Sequence, residues 1–591
     1  MSYRAPLKDM LFVMKELAGL EAVSALPGYE DAGLETAAAV LEECARFNEE
    51  VVAPLNWEGD RTPATFHDGL VRTTPGFKQA FRQFVSGGWQ GLPHPEAFGG
   101  QGLPKLIHAA CSEMVQSANM SFALCPLLTD GAIEALLTAG SAEQQQTYIP
   151  PMIEGRWTGT MNLTEPQAGS DLSLVRTRAE PQPDGTYRLF GTKIYITYGE
   201  HDMSDNIVHL VLARITGAPE GVKGISLFIC PKWLEDGTRN DVRCVSIEHK
   251  LGIKASPTAV LQYGDAGGAV ATLIGQENRG LEYMFVMMNA ARFGVGVQGV
   301  ALAERAYQKA VQYARDRVQS RPVDGSLQAA APIIHHPDVR RMLMTMRAQT
   351  EGCRAMALVA AGAFDAAHAH PDLAVRQENQ AFYEFLVPLI KGLSTEMSLE
   401  VASLGVQVHG GMGFIEETGA AQYLRDAKIL TIYEGTTAIQ ANDLVGRKTA
   451  RDGGTLARAI AQQVADTEAA LLARPSPAGQ QVARRLSSAR CAFLEAVDFI
   501  VERNRSEPNA VFAGSVPYLM LAATLVTGWQ MARALMAAED LSAAGIDQAF
   551  MQAKITTCRF HADHLLPRTQ AWRDAIVEGA SSVTEMALEA F

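Results

Sequence analysis

The sequence predicts an α+β protein built in four parts, in the order helical, β, helical, helical. Three observations carry this. Apolar residues recur at helical spacing through the first quarter. Short β-branched and aromatic runs then crowd together without intervening helices, and long helical patterns return and continue to residue 591. A chain of 591 residues is too long for one compact domain, and two to four are expected.

In order, residues 1–155 read as an N-terminal helical domain. LETAAAVLEECARFNEEVVAPL (34–55) places apolar residues three and four apart, and a Gly/Pro-rich stretch (87–104) reads as loop. Residues 156–275 read as an antiparallel β-domain, from GTYRLFGTKIYIT, NIVHLVLARI, GISLFIC and VRCVSIE with turn residues between them. Residues 276–450 read as a helical bundle. ARDGGTLARAI (450–460) looks like a linker into a further helical domain, 451–591. The uncharged stretch 511–532 is long enough to span a bilayer, but Gly514, Pro517, Thr524, Thr527, Gly528 and Gln530 dilute it. It reads as a buried helix beginning near Pro517, and membrane contact is not expected.

The net charge is −14 and no basic run is present, which argues against a nucleic-acid partner. MSYRAPLKDM lacks a basic segment followed by an apolar one, so no secretory signal and a cytoplasmic location are expected. The eight cysteines are scattered, without C-x-x-C pairs or clustering with His, so reduced thiols are expected and no metal site.

Gly294, Gly296 and Gly299 spell G-x-G-x-x-G. The surrounding residues are Met- and Ala-rich, run on with a helical period and lack βαβ alternation. They read as one long helix with small residues at a close packing contact, not as a dinucleotide site. HGGMG (409–413) is a Gly-rich loop whose backbone can approach a phosphate. Glu434, in IYEGTT, has apolar neighbours that would raise its pKa toward that of a general base; on this segment alone a capping or helix-dipole role is the simpler reading.

Together, TEPQAGSD, QVHGGMGF and IYEGTTAIQ resemble the acyl-CoA dehydrogenase family, in the family's order and over about 36–448. Gln407 and Glu434 stand 27 positions apart, as in its medium-chain members. The resemblance implies a helical domain, a β-barrel and a helical bundle, FAD as cofactor, an acyl-CoA substrate, an electron-transfer flavoprotein as acceptor, and a homodimer or homotetramer with FAD between subunits. It implies that Leu163, Thr164 and Ser170 line the flavin, that Gly169 permits a tight turn, and that Ser170 also touches the CoA arm. Lys193–Thr197 matches the family's K-x-W-I-T, which puts Thr197 at flavin N5 and Tyr195 in place of the usual Trp. Arg317 matches a pyrophosphate contact. Gln407, Gly410 and Gly411 match contacts to the neighbouring subunit's FAD, and Thr436 a flavin contact, whereas Ala438 replaces a common Gln.

Glu434 is the implied base. Some members carry their glutamate just before an arginine that matches Arg292, but Ala291 stands there. Asn289, Arg292 and Gly435 are then candidates for holding the substrate. Arg292 also fits a helix-surface ion pair. The length past 448 matches extended members, very-long-chain enzymes among them, and IYEGTTAIQANDLVGRK and the N-terminal PLKDMLFVMKEL most resemble the 3-methylmercaptopropionyl-CoA and broad-range fatty acyl-CoA dehydrogenases. An oxygen-using acyl-CoA oxidase and a non-catalytic scaffold on the same fold are the alternatives. The last 141 residues are expected to pack on the bundle or on a neighbouring subunit.

Overall fold

The computed structural model describes residues 3–591. The N-terminal part holds α1 (Leu7–Glu16), α2 (Leu34–Phe47), α3 (Lys105–Ala118) and α4 (Met120–Ala139) among shorter turns. α4 is apolar nearly all round and is buried on most faces. It lies so close to the next domain that a Cβ on Gly159 would come within 2.4 Å of the Ala132 Cβ.

Eight strands follow: β1 (Trp157–Asn162), β2 (Arg178–Pro181), β3 (Tyr187–Thr197), β4 (Asn206–Ile215), β5 (Ile225–Pro231), β6 (Val242–Ile247), β7 (Thr258–Tyr263) and β8 (Ala269–Ile274). The order is β8-β5-β4-β2-β3-β7-β6, with β1 beside β4, and β8 also pairs β3 at Ala269–Ala271, which closes a barrel. The sheet is mixed rather than wholly antiparallel. β1 and β2 each run parallel to β4, as the long connections between them permit. Central strands β4 and β5 are buried on both faces and read as continuous apolar runs.

The bundle is dominated by α5 (Gly280–Asp316), α6 (Pro337–Ala369) and α7 (Leu373–His409), followed by a short α8 (Thr437–Val445). The glycine fingerprint lies inside α5. A Cβ on Gly296 would come within 2.4 Å of Ile390 Cγ2, and one on Gly299 within 2.3 Å of the Ser394 carbonyl, so small residues there let α7 seat against α5.

The expected linker is shorter than 450–460. Only a turn at 451–454 is non-helical, with Gly453 and Gly454 at positive φ, and a helix starts at Thr455 because Asp452 accepts from the Gly454 and Leu456 N–H groups. Beyond it, α9 (Ser515–Ala543) and α10 (Gln548–His564) pack on the same chain's bundle. Leu519 Cδ2 fills the space beside Gly392, and the Tyr518 and Thr449 hydroxyls meet at 3.0 Å. α4, α5 and α9 are long and apolar enough to cross a membrane, but 78%, 72% and 83% of their most apolar windows are buried here, so in this fold they are interior helices.

One ionic cluster joins the parts. Arg354 donates to Asp9 at 2.7 Å, Glu113 at 2.6 Å and Glu304 at 2.7 Å, and Lys554 on α10 pairs with Asp9 and Glu351. Every member is buried. The opposed charges lower the Asp9 carboxyl to about 2 against the pull of burial.

Candidate active site

Glu434 and Gly435 form a tight turn ahead of α8. Both take left-handed backbone conformations, with φ of 55° and 86°. For glutamate that conformation costs energy and persists only where the surroundings impose it, which is common at active sites. The constraints are visible. Lys391, on α7, donates its ammonium to the Leu430 carbonyl at 2.9 Å and to the Gly435 carbonyl at 2.7 Å. Gln440 donates to the Glu434 and Gly435 carbonyls, each at 3.2 Å. Thr436 caps α8 by accepting from the Ile439 N–H, and Thr437 donates to Glu396 at 2.6 Å. Just before the turn, the Tyr433 hydroxyl donates to Gln298 on α5. Among the described residues no acceptor takes the Glu434 N–H.

Glu434 keeps some solvent contact yet lies deep in the chain. Burial raises its pKa to about 7, against the opposing pull of Arg292 and Lys391. Arg292 is 7% exposed and, among the described residues, makes no carboxylate ion pair within 4 Å and meets only the Asn289 side-chain oxygen at 3.5 Å. A helix-surface ion pair is therefore not its role. Its Nε has no partner, and its charge faces Asp443 and Glu434. Asn289, one turn earlier, is exposed. Lys391 feels Glu434 in turn, and burial brings it down to about 8.

The barrel gathers the second group. Buried Lys193 donates to the Leu163 carbonyl at 2.9 Å and to Glu165 at 2.8 Å, and the Ile194 N–H to the Thr164 carbonyl at 2.9 Å. Strand β3 bulges between Lys193 and Ile196, Tyr195 has φ of 60°, and its ring is 60% exposed. Gly169 and Ser170, in the loop after β1, are exposed, but Gly169 is not left-handed and a Cβ there would meet nothing within 4 Å. The chain's own turn therefore does not require glycine. Among the described residues no partner takes the Thr164, Ser170 or Thr197 hydroxyls, which suits an external ligand.

The third group lies at the far end of the bundle, where Tyr313 stacks on His409 at 4.3 Å and so holds the ends of α5 and α7 together. Arg317 is exposed there with only Gln319 at 3.5 Å, alongside exposed Gln407, Gly410 and Gly411. Gly410 has φ of 59°, and neither glycine would bring a Cβ near another atom, so the backbone is open to a ligand. Free hydroxyls, an exposed ring, an uncompensated arginine and bare glycine backbone fit a flavin dinucleotide. Lys391 was not among the residues singled out from sequence, and Gln440, Lys193 and Glu165 entered only as members of the matched motifs, without a role of their own. A lone lysine within the apolar run FLVPLIKGL was the available signal for the first.

The barrel, the bundle and a strained carboxylate facing Arg292 fit a flavin-dependent dehydrogenase of acyl thioesters. Family models agree: the acyl-CoA dehydrogenase N-terminal domain matches residues 35–156, the middle domain 160–266 and the C-terminal domain 278–448, and an acetyl-CoA dehydrogenase C-terminal-like domain matches 456–587. The chain belongs to the acyl-CoA dehydrogenase family. It is 55% identical to the 3-methylmercaptopropionyl-CoA dehydrogenase of Ruegeria pomeroyi, over 100% of both chains. It is 34% identical to a broad-specificity linear acyl-CoA dehydrogenase of Mycobacterium tuberculosis, again over 100% of both. A solved acyl-CoA dehydrogenase from Bacillus anthracis, complexed with FAD, shares the fold at a TM-score of 0.76 and 22% identity, across 92% of this chain and 88% of that one. The protein is thus an oxidoreductase of CH–CH bonds with FAD as its cofactor.

Proposed function

We propose that Glu434 is the base that removes the α-proton of an acyl-CoA thioester, giving a trans-2-enoyl-CoA. The observation that carries this is a carboxyl raised to about 7 by burial, held in a left-handed turn by Lys391 and Gln440. Near neutral pH such a group can both accept a proton and release it.

The free Glu434 N–H is placed to donate to the thioester carbonyl as the α-carbon loses its proton. Arg292 and Asn289 orient the CoA portion, with Gly435 beside the thioester. FAD, when bound, supplies the acceptor for the β-hydride and would be held by Leu163, Thr164, Gly169, Ser170, Tyr195, Thr197 and Thr436. Arg317, Gln407, Gly410 and Gly411 are assigned to a second copy's cofactor in a homodimer or homotetramer. The apolar surface at that end, including Phe414 at 86% and Val323 at 83% exposure, supports such an assembly. Electrons then leave to an electron-transfer flavoprotein.

Full-length similarity to the Ruegeria enzyme favours 3-methylmercaptopropionyl-CoA as substrate, and the Mycobacterium relative keeps linear fatty acyl-CoAs as the second reading. An anaerobic titration of the FAD-loaded protein with acyl-CoAs tests the reading. Bleaching with at least one acyl-CoA is expected, whereas a bound flavin that no acyl-CoA bleaches would refute it. Rapid peroxide formation in air without an electron-transfer flavoprotein would move the assignment to an oxidase.

A further inference from the structure

The left-handed turn at Glu434 and Gly435 is tied down differently at its two ends. Upstream, Tyr433 is anchored on α5 through Gln298. Downstream, the Gln440 donors and the Thr436 cap belong to α8 or to its first turn, so they fix the turn to that helix and move with it. α8 is only nine residues long, and a helix so short depends on its surroundings for its place. Among the described residues, two side chains of α7 bond the turn and the start of α8 to the bundle. One is Lys391, through the Leu430 and Gly435 carbonyls. The other is Glu396, which accepts from the hydroxyl of Thr437, the first residue of α8, at 2.6 Å.

A carboxylate suits this position better than a neutral group. Its hydrogen bond to Thr437 is charge-assisted and so stronger than a neutral one. It also acts on Lys391: Glu434 and Glu396 favour the charged ammonium against burial, while Arg292 opposes it. Once Glu434 has taken up a proton its help ends, and Glu396 is the carboxylate that remains. On its other side Glu396 borders a cavity of about 100 Å³ between α6, α7, α9 and α10, together with Gln349, Glu400, His561 and Arg568. Arg568 opens α11 (Arg568–Val577) and grips Glu400, one turn further along α7, with two guanidinium nitrogens at 3.0 and 2.9 Å. The C-terminal domain thus holds the stretch of α7 that carries Glu396.

We propose that Glu396 is a positioning residue of the dehydrogenation: through Thr437 it fixes the start of α8, and with it the direction in which the Glu434 carboxylate points. Glu396 acts through Thr437 and not on the reacting atoms. The inference rests on Glu434 as the base, as proposed above. Without the contact the turn is attached to a helix end that can shift, and a shift of about an ångström in a reacting group costs on the order of a hundredfold in rate. The residues assigned above to FAD and to the CoA portion are untouched by the change, so binding should survive it.

The experiment is anaerobic stopped-flow flavin reduction in the FAD-loaded protein, with 3-methylmercaptopropionyl-CoA, butanoyl-CoA and octanoyl-CoA as probes. Glu396→Leu and Thr437→Val should each slow the limiting reduction rate at least about tenfold. The acyl-CoA concentration giving half the limiting rate should change by less than about twofold, with FAD content and melting temperature as checks on folding. The two substitutions remove one contact, so the double variant should stay within about twofold of the slower single variant. Glu396→Gln keeps an oxygen that can accept from Thr437 and should recover reduction to within about threefold of wild type. Wild-type reduction in FAD-loaded Glu396→Leu or Thr437→Val, effects that multiply in the double variant, or a Glu396→Gln as slow as Glu396→Leu would each overturn the positioning role and leave Glu434 standing as the base. A Glu434→Gln variant that bleaches at the wild-type rate, or a wild-type flavin that none of the three probes bleaches, overturns both.

Discussion

The Lys391 ammonium donates to the Gly435 carbonyl at 2.7 Å, so one buried cation holds the turn that carries Glu434 and also lowers the pKa of its carboxyl. Lys391→Met removes both effects. Two buried carbonyls lose a donor, at about 1–3 kcal/mol each. With one cation gone, the Glu434 pKa rises, and the pH at which the carboxylate forms moves upward. We expect slower flavin reduction at pH 7 that partly recovers at higher pH, read by stopped-flow absorbance across a pH series.

The wild-type enzyme needs Glu434 ionised, so kcat/KM should rise with pH through a limb near 7, the value set by burial against Arg292 and Lys391. The same shift acts on stability. The folded pKa lies above the ordinary 4.5, so this group's contribution becomes unfavourable as pH climbs from 4.5 through about 7. Glu434→Gln should therefore be more stable than wild type at pH 8, by at most about 3 kcal/mol. The difference should vanish below pH 4.5, as measured by denaturant unfolding at both pH values.

Gly435 is required by its backbone. At φ of 86°, a Cβ would stand 2.8 Å from the Gln440 amide nitrogen. Gly435→Ala should cost about 1–2 kcal/mol and displace the adjacent carboxylate. The expected outcome is flavin reduction slowed at least about tenfold, with FAD still bound, since misplacement of a reacting group by an ångström is expensive in rate.

Arg354 pairs with Asp9, Glu113 and Glu304 together. Arg354→Met leaves Glu113 and Glu304 buried without a cation, with Lys554 still paired to Asp9, and should destabilise the fold by about 3–5 kcal/mol. In wild type, the depressed Asp9 pKa means its contribution is present above pH 3.8 and is lost as pH falls toward about 2. Thermal unfolding followed by circular dichroism checks both, and an unchanged melting temperature for the variant would contradict the role given to the cluster.

The helical–β–helical–helical order and the long helix hiding the glycine fingerprint were legible because periodicity reports local burial. The parallel pairing of β1 with β4 was not, since it depends on a partner about fifty residues away that no local pattern encodes. Glu434 was legible only through three short motifs taken together. Its supports were not: Lys391 and Gln440 act through backbone carbonyls brought near by the α7–α8 packing, and Glu165 through the Lys193 ammonium, contacts that exist only in three dimensions. The turn expected to need Gly169 shows the converse, since a family motif does not say whether the chain or the ligand imposes a glycine.

The most direct measurement is anaerobic flavin absorbance of FAD-loaded Glu434→Gln mixed with an acyl-CoA that bleaches the wild type. With Glu434 as the base, the variant binds FAD, its flavin spectrum shifts as the acyl-CoA binds, and the flavin stays oxidised. Bleaching at the wild-type rate would contradict the account.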